Sequence, residues 1–473
     1  MTITEKEHFH DRINDLAFFR EKYKKMSKGE LIVFYGRRRL GKTKLINKFL
    51  EEVDSKKIYS FVNLTEEKEV MKSFENDILR HTQDVVKIDS WRDYFEYLHA
   101  EAHKSKIVVV IDEFQRFQDI SPGFISELQN FWDLKLKNSS IMLVIVGSSV
   151  GMMQKIAFSS SGVLYGRKTG QIQLKPFRYV DFRGMFADRT EEEKIKWFSV
   201  FGGTPHYLEI VHKIKDINEA ILKFVLEKNA PLRDEPKNLL EFELRVIARY
   251  NSIVQAIAQH KYTVKEISDS TGIPSEVLMP YLNKLIDLIT ILVKKEPILG
   301  KEKSSKYMIS DNFFKFWYRF VFPNQSTLEL GNTKEVLSII DKDLSSYIGY
   351  VFEDIVKELF ILYNQNKIKD ITLNFTNIGS WWDRKSNEID LVIENKNGLI
   401  LGEIECRNKM MDADIIKELI KKMQFVNYHG KIKFVLISKS GFTDSCKKLA
   451  LETNTTLLDL KDIENLFDAA PKD

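Results

Sequence analysis

A segment with two glycines and a lysine, Gly36-Arg37-Arg38-Arg39-Leu40-Gly41-Lys42-Thr43, has the residue types needed to hold a phosphate group. Glycines let backbone N–H groups approach phosphate oxygens, and the N-terminus of a following helix favours negative charge. We expect Lys42 to reach the β- and γ-phosphates of a nucleotide and Thr43 to bind Mg²⁺. The alternative, a basic turn between strand and helix, is disfavoured by the apolar run before the segment and the amphipathic stretch after it.

A pair of carboxylates, Asp112-Glu113, directly follows a second apolar run at Ile107 to Ile111. We expect Asp112 to hold Mg²⁺ through water and Glu113 to orient or polarise an attacking water. A loop start with a helix cap is the alternative. After a third apolar run, Ser148 or Ser149 could sense the γ-phosphate, and a simple turn explains these serines equally well.

The elements that must position these side chains are short buried strands that alternate with helices. Leu31 to Tyr35, Ile107 to Ile111 and Ile141 to Val146 have the continuous apolar character of parallel strands, and residues 42–52 have helical spacing. This alternation predicts an α/β fold with a parallel sheet. Ligands of such sheets bind at the carboxyl ends of the strands, so both motifs should meet there.

Composition bounds the class of protein. The chain has 473 residues, enough for two or three domains, with 43% hydrophobic and 30% charged residues, which indicates a soluble globular protein. A net charge of +4 permits a nucleic-acid partner without arguing for one. Two cysteines, the lack of an apolar signal region in the first residues and the lack of a membrane-length apolar window predict a cytoplasmic protein without a membrane partner.

The middle of the chain is predicted to be helical from about residue 201 to 250 and then to form a helix-turn-helix unit with a β-wing over residues 261–322. Its helices would be Thr263 to Ser268 and Ser275 to Leu288. Three lysines on the expected wing tip could contact DNA phosphates, or could belong to a solvated loop; they are Lys301, Lys303 and Lys306. The second helix has one basic residue, Lys284, which argues against base readout in the major groove.

A C-terminal α/β segment contains three carboxylates on elements that could converge. Glu353 lies on a predicted helix, and Asp390 and Glu403 lie on strands predicted at Glu388 to Ile393 and Gly398 to Cys406, with a further strand at Lys433 to Ser438. Three such groups could bind one or two Mg²⁺ ions for phosphodiester hydrolysis. Surface charges that flank strands are the alternative.

Five motifs in order resemble those of the archaeal-type ATPases, AAA-like P-loop proteins related to the STAND signalling ATPases. They are the phosphate-loop segment at 36–43, Ile-Asp-Glu-Phe-Gln at 111–115, Leu-Tyr-Gly-Arg-Lys-Thr-Gly at 164–170, Leu-Lys-Pro-Phe at 174–177 and Phe-Gly-Gly-Thr-Pro-His-Tyr-Leu at 201–208. The resemblance implies a P-loop ATPase core over residues 1–195, a helical lid over 196–258, a winged helix over 259–325 and a PD-(D/E)xK nuclease-like domain over 340–473. By similarity to AAA-type proteins, Arg167 would be an arginine finger or sensor; a surface arginine is the alternative.

The C-terminal segment departs from the nuclease pattern, because Glu403-Ile404-Glu405 has Glu405 where that pattern has lysine. A displaced cation could come from one of four nearby residues, which are Arg407, Lys409, Lys421 and Lys422; otherwise the domain would be a binding module without chemistry. For the whole chain we expect a switch or motor that binds and hydrolyses ATP with Mg²⁺. It could act on DNA, and it could form a homo-oligomer. The alternatives are an ATP-regulated metal-dependent nuclease and a slow nucleotide-gated binding module.

Overall fold

The computed structural model describes residues 12–160, 162–244, 246–300 and 304–471. These residues form two compact units, one running up to Pro176 with the addition of Asp287–Ile289, the other made of Phe177–Ile286 and the chain from Thr290 onward. Within the described ranges, no helix is long and apolar enough to cross a membrane. Two of the expected wing-tip lysines, Lys301 and Lys303, lie outside the described residues.

The first unit contains a parallel sheet surrounded by helices. Its strands are β1 (Glu30–Tyr35), β2 (Lys56–Phe61), β3 (Ile107–Asp112), β4 (Ile141–Gly147) and β5 (Gly170–Gln173). Its helices are α1 (Ile13–Lys25), α2 (Lys42–Glu51), α3 (Glu67–Thr82), α4 (Trp91–Lys104), α5 (Phe117–Ile120), α6 (Pro122–Leu134) and α7 (Val150–Ala157), with 3₁₀ turns at Phe114–Arg116 and Leu136–Asn138.

The five strands are all parallel and lie in the order β2-β3-β4-β1-β5. Alternate residues of β1 enter two different cores: Leu31 and Val33 pack on one face, while Ile32 and Phe34 pack on the other. A strand buried on both faces requires a continuous apolar run, which is the pattern that predicted it. The predicted α/β fold with a parallel sheet is thus confirmed, and β4 lies between β1 and β3.

The second unit is helical in its first half and contains a smaller mixed sheet in its second half. Its helices are α8 (Tyr179–Met185), α9 (Glu191–Phe201), α10 (Pro205–Val211), α11 (Ile217–Ile221), α12 (Glu235–Glu243), α13 (Ile247–Ala258), α14 (Val264–Thr271), α15 (Ser275–Asp287), α16 (Asn312–Phe316), α17 (Gln325–Glu329), α18 (Thr333–Leu362), α19 (Ala413–Met423), α20 (Asp444–Glu452) and α21 (Leu460–Asp468), with π-helical turns at Leu222–Leu226 and Trp317–Val321 and a 3₁₀ turn at Phe322–Asn324. Its strands are β6 (Leu292–Lys295), β7 (Lys306–Ile309), β8 (Lys367–Ile368), β9 (Ile371–Thr372), β10 (Phe375–Trp382), β11 (Glu388–Asn395), β12 (Gly398–Glu405), β13 (Ile432–Ser438) and β14 (Thr456–Asp459).

The mixed sheet has the order β10-β11-β12-β13-β14. The pairs β10–β11 and β11–β12 are antiparallel, whereas β12–β13 and β13–β14 are parallel and are connected through α19 and α20. The three strands predicted from the C-terminal sequence are present with ends shifted by one or two residues. The edge strands β10 and β14 were not predicted, because neither has a long apolar run.

The boundary between the two units lies after Pro176, earlier than the expected end of the first domain at residue 195. Helices α8 and α9 belong to the second unit because they are held there by buried polar and aromatic contacts. The Arg183 guanidinium bonds to Glu191 at 3.0 Å and to Asp468 of α21 at 2.8 Å. The ring of Tyr179 meets the ring of Phe467, also in α21, edge to face at 5.2 Å.

The predicted helix-turn-helix corresponds to α14 and α15, followed by the antiparallel β6–β7 hairpin. Thr263 caps α14 through a reciprocal pair of hydrogen bonds with Glu266, and Gly272 ends the helix with a left-handed φ of 69°. A serine, threonine or aspartate cap and a glycine stop are the local signals that made this pair of helices predictable.

Candidate functional site

The loop between β1 and α2 has the shape of a phosphate cradle, and both motif glycines have a structural reason. A Cβ on Gly36 would lie 2.5 Å from the carbonyl oxygen of Leu174, so only glycine fits this close approach. Gly41 has a φ of 88°, a conformation that favours glycine, and it leads directly into α2. The first turn of α2 has no acidic residue, so no carboxylate within that turn offsets the positive end of the helix dipole.

Lys42 lies at the centre of this loop. Its Nζ donates to the carbonyl oxygens of Gly36 at 2.7 Å and Arg37 at 2.9 Å, and the residue is only 6% exposed. Arg37 and Leu40 are buried in the loop, whereas Arg38 and Arg39 are exposed on its outer side. The predicted phosphate-binding residues therefore form one compact loop with a cation inside it.

The end of β3 meets the start of α2, as expected for a parallel sheet. Asp112 Oδ2 accepts hydrogen bonds from Thr43 Oγ1 at 3.3 Å and from Tyr59 OH at 2.6 Å. Asp112 Oδ1 accepts from the backbone N–H of Glu113 at 2.8 Å. Two motifs separated by about seventy residues are thus joined by a direct contact between side chains.

The donor set at this point fits a magnesium ion bound together with nucleotide phosphates. Thr43 directs its proton to Asp112, which leaves the hydroxyl lone pairs for a cation. Hydroxyl and carboxylate oxygens are the hard ligands that Mg²⁺ prefers, and Mg²⁺ commonly uses one or two protein ligands plus phosphate and water. Thr43 and Asp112 are the residues that would hold it.

Glu113 has a strained backbone and a firmly held side chain. Its φ of 58° is unusual for a residue other than glycine, and such strain persists where the surrounding structure enforces it. One carboxylate oxygen accepts from Ser148 Oγ at 2.5 Å; the other accepts from Gln115 Nε2 at 2.8 Å and lies 3.4 Å from Arg116 Nε. Ser148 reaches Glu113 because β4, whose end it follows, is the neighbour of β3.

Three residues of this site were missed by sequence reasoning: Tyr59, Gln115 and Arg116. Gln115 and Arg116 follow the carboxylate pair directly, so their nearness in sequence was a usable signal. Tyr59 had none, because only the pairing of β2 with β3 brings it to Asp112. Burial, followed by the charge of Asp112, raises the pKa of Tyr59 well above its ordinary value, so the phenol remains a hydrogen-bond donor at neutral pH.

Arg167 is held within its own unit by three partners. Its guanidinium makes a bidentate contact with Asp133 of α6, with Nε donating to Oδ1 at 3.1 Å and Nη2 donating to Oδ2 at 2.7 Å, and it also donates to the carbonyl oxygens of Val163 and Tyr165. All its hydrogen bonds in the described chain go to these three residues. This arrangement favours a structural role for Arg167 within its own unit, and the role of an arginine finger or sensor stays a prediction.

The three C-terminal carboxylates lie on α18, β11 and β12 and are close enough to influence one another. Burial, assisted by the nearby charge of Asp390, raises the pKa of Glu353 and that of Glu403. Asp390 is itself fixed by the backbone N–H of Ile404, which donates to its Oδ2 at 3.0 Å. The structure therefore brings together the residues that the sequence grouped.

Lysines contact two of these carboxylates. Lys422 of α19 donates to Glu403 at 2.8 Å, and Lys357 Nζ lies 3.5 Å from Glu353. In the part of the chain that the structure describes, no group of three or more His, Cys, Asp or Glu side chains is arranged to hold a metal ion. The metal site predicted at Glu353, Asp390 and Glu403 stays a prediction; in this structure a lysine ammonium group lies beside one oxygen of each of the two glutamates.

The structure also distinguishes among the cations expected to replace the missing lysine. Lys422 is the one that hydrogen-bonds to Glu403. Arg407 instead lies 3.7 Å from Glu405, the residue at the usual lysine position. The positive charge beside Glu403 thus comes from Lys422 on helix α19, because the strand position that usually carries a lysine is Glu405.

The β6–β7 hairpin packs on the mixed sheet of the same unit. The backbone N–H of Ile298, in the hairpin loop, donates to the carbonyl oxygen of Ser380 on edge strand β10 at 2.9 Å. Lys306, one of the three expected wing-tip lysines, donates to Glu388 of β11 at 3.0 Å. In this structure Lys306 therefore neutralises a carboxylate of its own chain.

Comparisons with known proteins agree with the site in the first unit. A model of an ATPase domain found predominantly in Archaea matches residues 9–211, and a model of archaeal and bacterial proteins of unknown function matches residues 317–419. An uncharacterized protein of Methanocaldococcus jannaschii is 34% identical over 438 residues, covering 91% of this chain and 95% of that protein.

A solved structure extends the agreement to the fold. A Walker-type ATPase of Pyrococcus abyssi superimposes with a TM-score of 0.51 at 20% sequence identity, over 67% of this chain and 98% of that one. At that identity the likeness concerns the fold alone. Together with the phosphate loop and the carboxylate pair on the neighbouring strand, these matches establish that the chain belongs to the archaeal-type P-loop ATPase family.

Proposed function

We propose that the first unit binds Mg²⁺-ATP and hydrolyses it, and that the chain works as a nucleotide-driven switch or motor. The observation that supports this most directly is the hydrogen bond of Thr43, at the start of α2, to Asp112, at the end of β3. This contact joins a phosphate-binding loop to a metal-binding carboxylate, with Glu113 as the adjacent base.

Each residue has a distinct task in the proposed reaction. Lys42 balances the charge of the β- and γ-phosphates, and Thr43 and Asp112 would hold the Mg²⁺ that neutralises phosphate charge when it is bound. Glu113 accepts a proton from the attacking water. Among the described residues, one of the Glu113 oxygens accepts only from Ser148, so a lone pair on that oxygen remains for the attacking water.

The test is phosphate release by the full-length protein with Mg²⁺-ATP, alone and with single- or double-stranded DNA. We expect release that depends on Mg²⁺, and a motor that acts on DNA should be accelerated by one of the two forms. The absence of both nucleotide binding and phosphate release, in protein shown by circular dichroism to be folded, would contradict the proposal.

A second candidate function is phosphodiester cleavage by the C-terminal half of the chain. The observation that favours it is the grouping of Asp390 and Glu403 with Lys422, which supplies a cation beside Glu403 despite Glu405 at the usual lysine position. The same incubations, analysed for DNA fragments with Mg²⁺ or Mn²⁺, test this candidate. Intact DNA at every time point would favour a binding module that lacks chemistry.

We interpret α14, α15 and the β6–β7 hairpin as a winged helix within a proposed arrangement of P-loop core, helical lid, winged helix and nuclease-like domain. The pairing of Lys306 with Glu388 favours an internal docking role for this wing over free contact with DNA. DNA contact by Lys306 would first require release of that pair. A homo-oligomeric form belongs to the same proposal, but it does not depend on Arg167, whose guanidinium is held by Asp133 of its own chain.

Replacing Arg167 with alanine is expected to lower the melting temperature by about 2–4 °C, since a bidentate pair whose side chains are 24% and 40% exposed contributes up to about 1 kcal/mol. Asp133→Asn removes the other partner and should have a similar effect. Mixing Arg167→Ala protein with Lys42→Ala protein should leave hydrolysis at the level of the separate variants. Recovery of activity in the mixture would contradict the structural role and establish an arginine that acts on a neighbour.

A further inference from the structure

The carboxylate of Asp112 is almost fully occupied by protein donors. A carboxylate offers about four lone-pair positions. At Oδ2, one is used by the Thr43 hydroxyl and one by the Tyr59 phenol, and at Oδ1 one is used by the backbone N–H of Glu113. One position at Oδ1 therefore remains, and it could accept a hydrogen bond from a water bound to Mg²⁺ when the metal is present.

Tyr59 makes the shorter of the two contacts at Oδ2, 2.6 Å against 3.3 Å for Thr43. It comes from β2, which pairs with β3 in parallel register, so the sheet itself fixes its distance from Asp112. A hydrogen bond to an ionised carboxylate is among the stronger kinds. Tyr59 thus donates from a fixed position in the sheet to Oδ2 of Asp112, whereas the remaining lone pair lies on Oδ1.

We propose that Tyr59 is a positioning residue that sets the orientation of Asp112 and thereby the affinity of the nucleotide site for Mg²⁺. This inference rests on the proposed binding of Mg²⁺-ATP at the same site. Residues that hold a metal-binding group through a hydrogen bond typically change metal affinity about 10–100-fold when they are removed. The phenol itself contacts neither nucleotide nor metal in this scheme.

The variant Tyr59→Phe tests the proposal, because it removes one hydroxyl and keeps the ring that packs beside the core. The measurement is the binding of a fluorescent ATP analogue during a Mg²⁺ titration, together with its binding in EDTA. We expect the Mg²⁺ concentration for half-maximal metal-dependent binding to rise about tenfold or more, while the affinity in EDTA stays within about twofold.

The matched control is Tyr97→Phe in the same unit. Tyr97 donates a similar hydrogen bond, 2.7 Å long, to Asp84, far along the chain from the phosphate loop. The Tyr97→Phe variant should therefore leave the Mg²⁺ concentration for half-maximal binding (the Mg²⁺ midpoint) unchanged.

Three results would overturn the inference. An unchanged Mg²⁺ midpoint in Tyr59→Phe would show that the phenol does not position Asp112, and an equal loss of affinity in EDTA would show a merely structural role. If the wild-type protein bound nucleotide without any dependence on Mg²⁺, or did not bind it, both the inference and the proposed function would be wrong. The titration of the wild-type protein therefore distinguishes this result from the other two.

Discussion

Replacing Lys42 with alanine is expected to lower ATP hydrolysis at least about a hundredfold, which corresponds to about 2.7 kcal/mol of transition-state stabilisation. The ammonium group lies inside the phosphate loop and is only 6% exposed, so no solvent ion can replace it at the same distance. Nucleotide binding should weaken as well, because the same charge faces the phosphates before the reaction. Phosphate release and binding of a fluorescent ATP analogue measure the two effects.

Lys48→Ala is the matched control for this experiment. Lys48 belongs to the same helix, α2, but pairs with Glu51 on the outer face with its side chain 44% exposed. We expect near wild-type hydrolysis from this variant. Turnover by Lys42→Ala that equals that of the control would refute the phosphate-binding role of the loop.

Replacing Glu113 with glutamine is expected to slow hydrolysis about 10²–10⁴-fold while ATP binding is retained. Glutamine keeps the shape of the side chain and can still accept from Ser148, but it cannot take a proton from water. The two variants therefore separate binding from chemistry, since Lys42→Ala should impair both. Single-turnover phosphate release at saturating ATP, compared with equilibrium binding, is the measurement.

Glu96→Gln serves as the control, because Glu96 of the same unit forms an exposed ion pair with Lys135. Its loss should change neither binding nor turnover. If Glu113→Gln weakened ATP binding and left the rate per bound ATP unaltered, the general base would have to be another residue, and Glu113 would instead shape the site through its contacts with Gln115 and Arg116.

The geometry of the loop predicted to bind phosphate could be anticipated from sequence because its signals are local. The spacing of Gly36, Gly41 and Lys42 follows from the turn between a strand and a helix, and two of these residues are constrained by close approach or positive φ. The position of Asp112 follows from the apolar run before it, since the end of a buried parallel strand lies at the ligand-binding edge. Short-range chemistry and strand burial were sufficient for these residues.

In the C-terminal half, the strands could be predicted from the sequence, but the lysines that lie beside the carboxylates could not. Apolar runs located the strands that hold Asp390 and Glu403. The lysine ammonium groups beside Glu403 and Glu353 are there because of where α19 places Lys422 and where α18 places Lys357. A lysine side chain on a helix extends several ångströms from the backbone. The number of residues between that helix and a strand does not tell which carboxylate of the strand the lysine contacts.

The sequence by itself determined the class of the fold, the phosphate loop, the carboxylate pair and the family, because each depends on residues close together in the chain. Only the tertiary structure decided the order of the strands, and with it which side chains meet: β4 between β1 and β3 brings Ser148 to Glu113, and β2 beside β3 brings Tyr59 to Asp112. It also decided that Arg167 binds Asp133 and that Lys306 binds Glu388. The physical reason is that strand order and helix docking are set by burial of whole faces, a collective property that no single motif encodes.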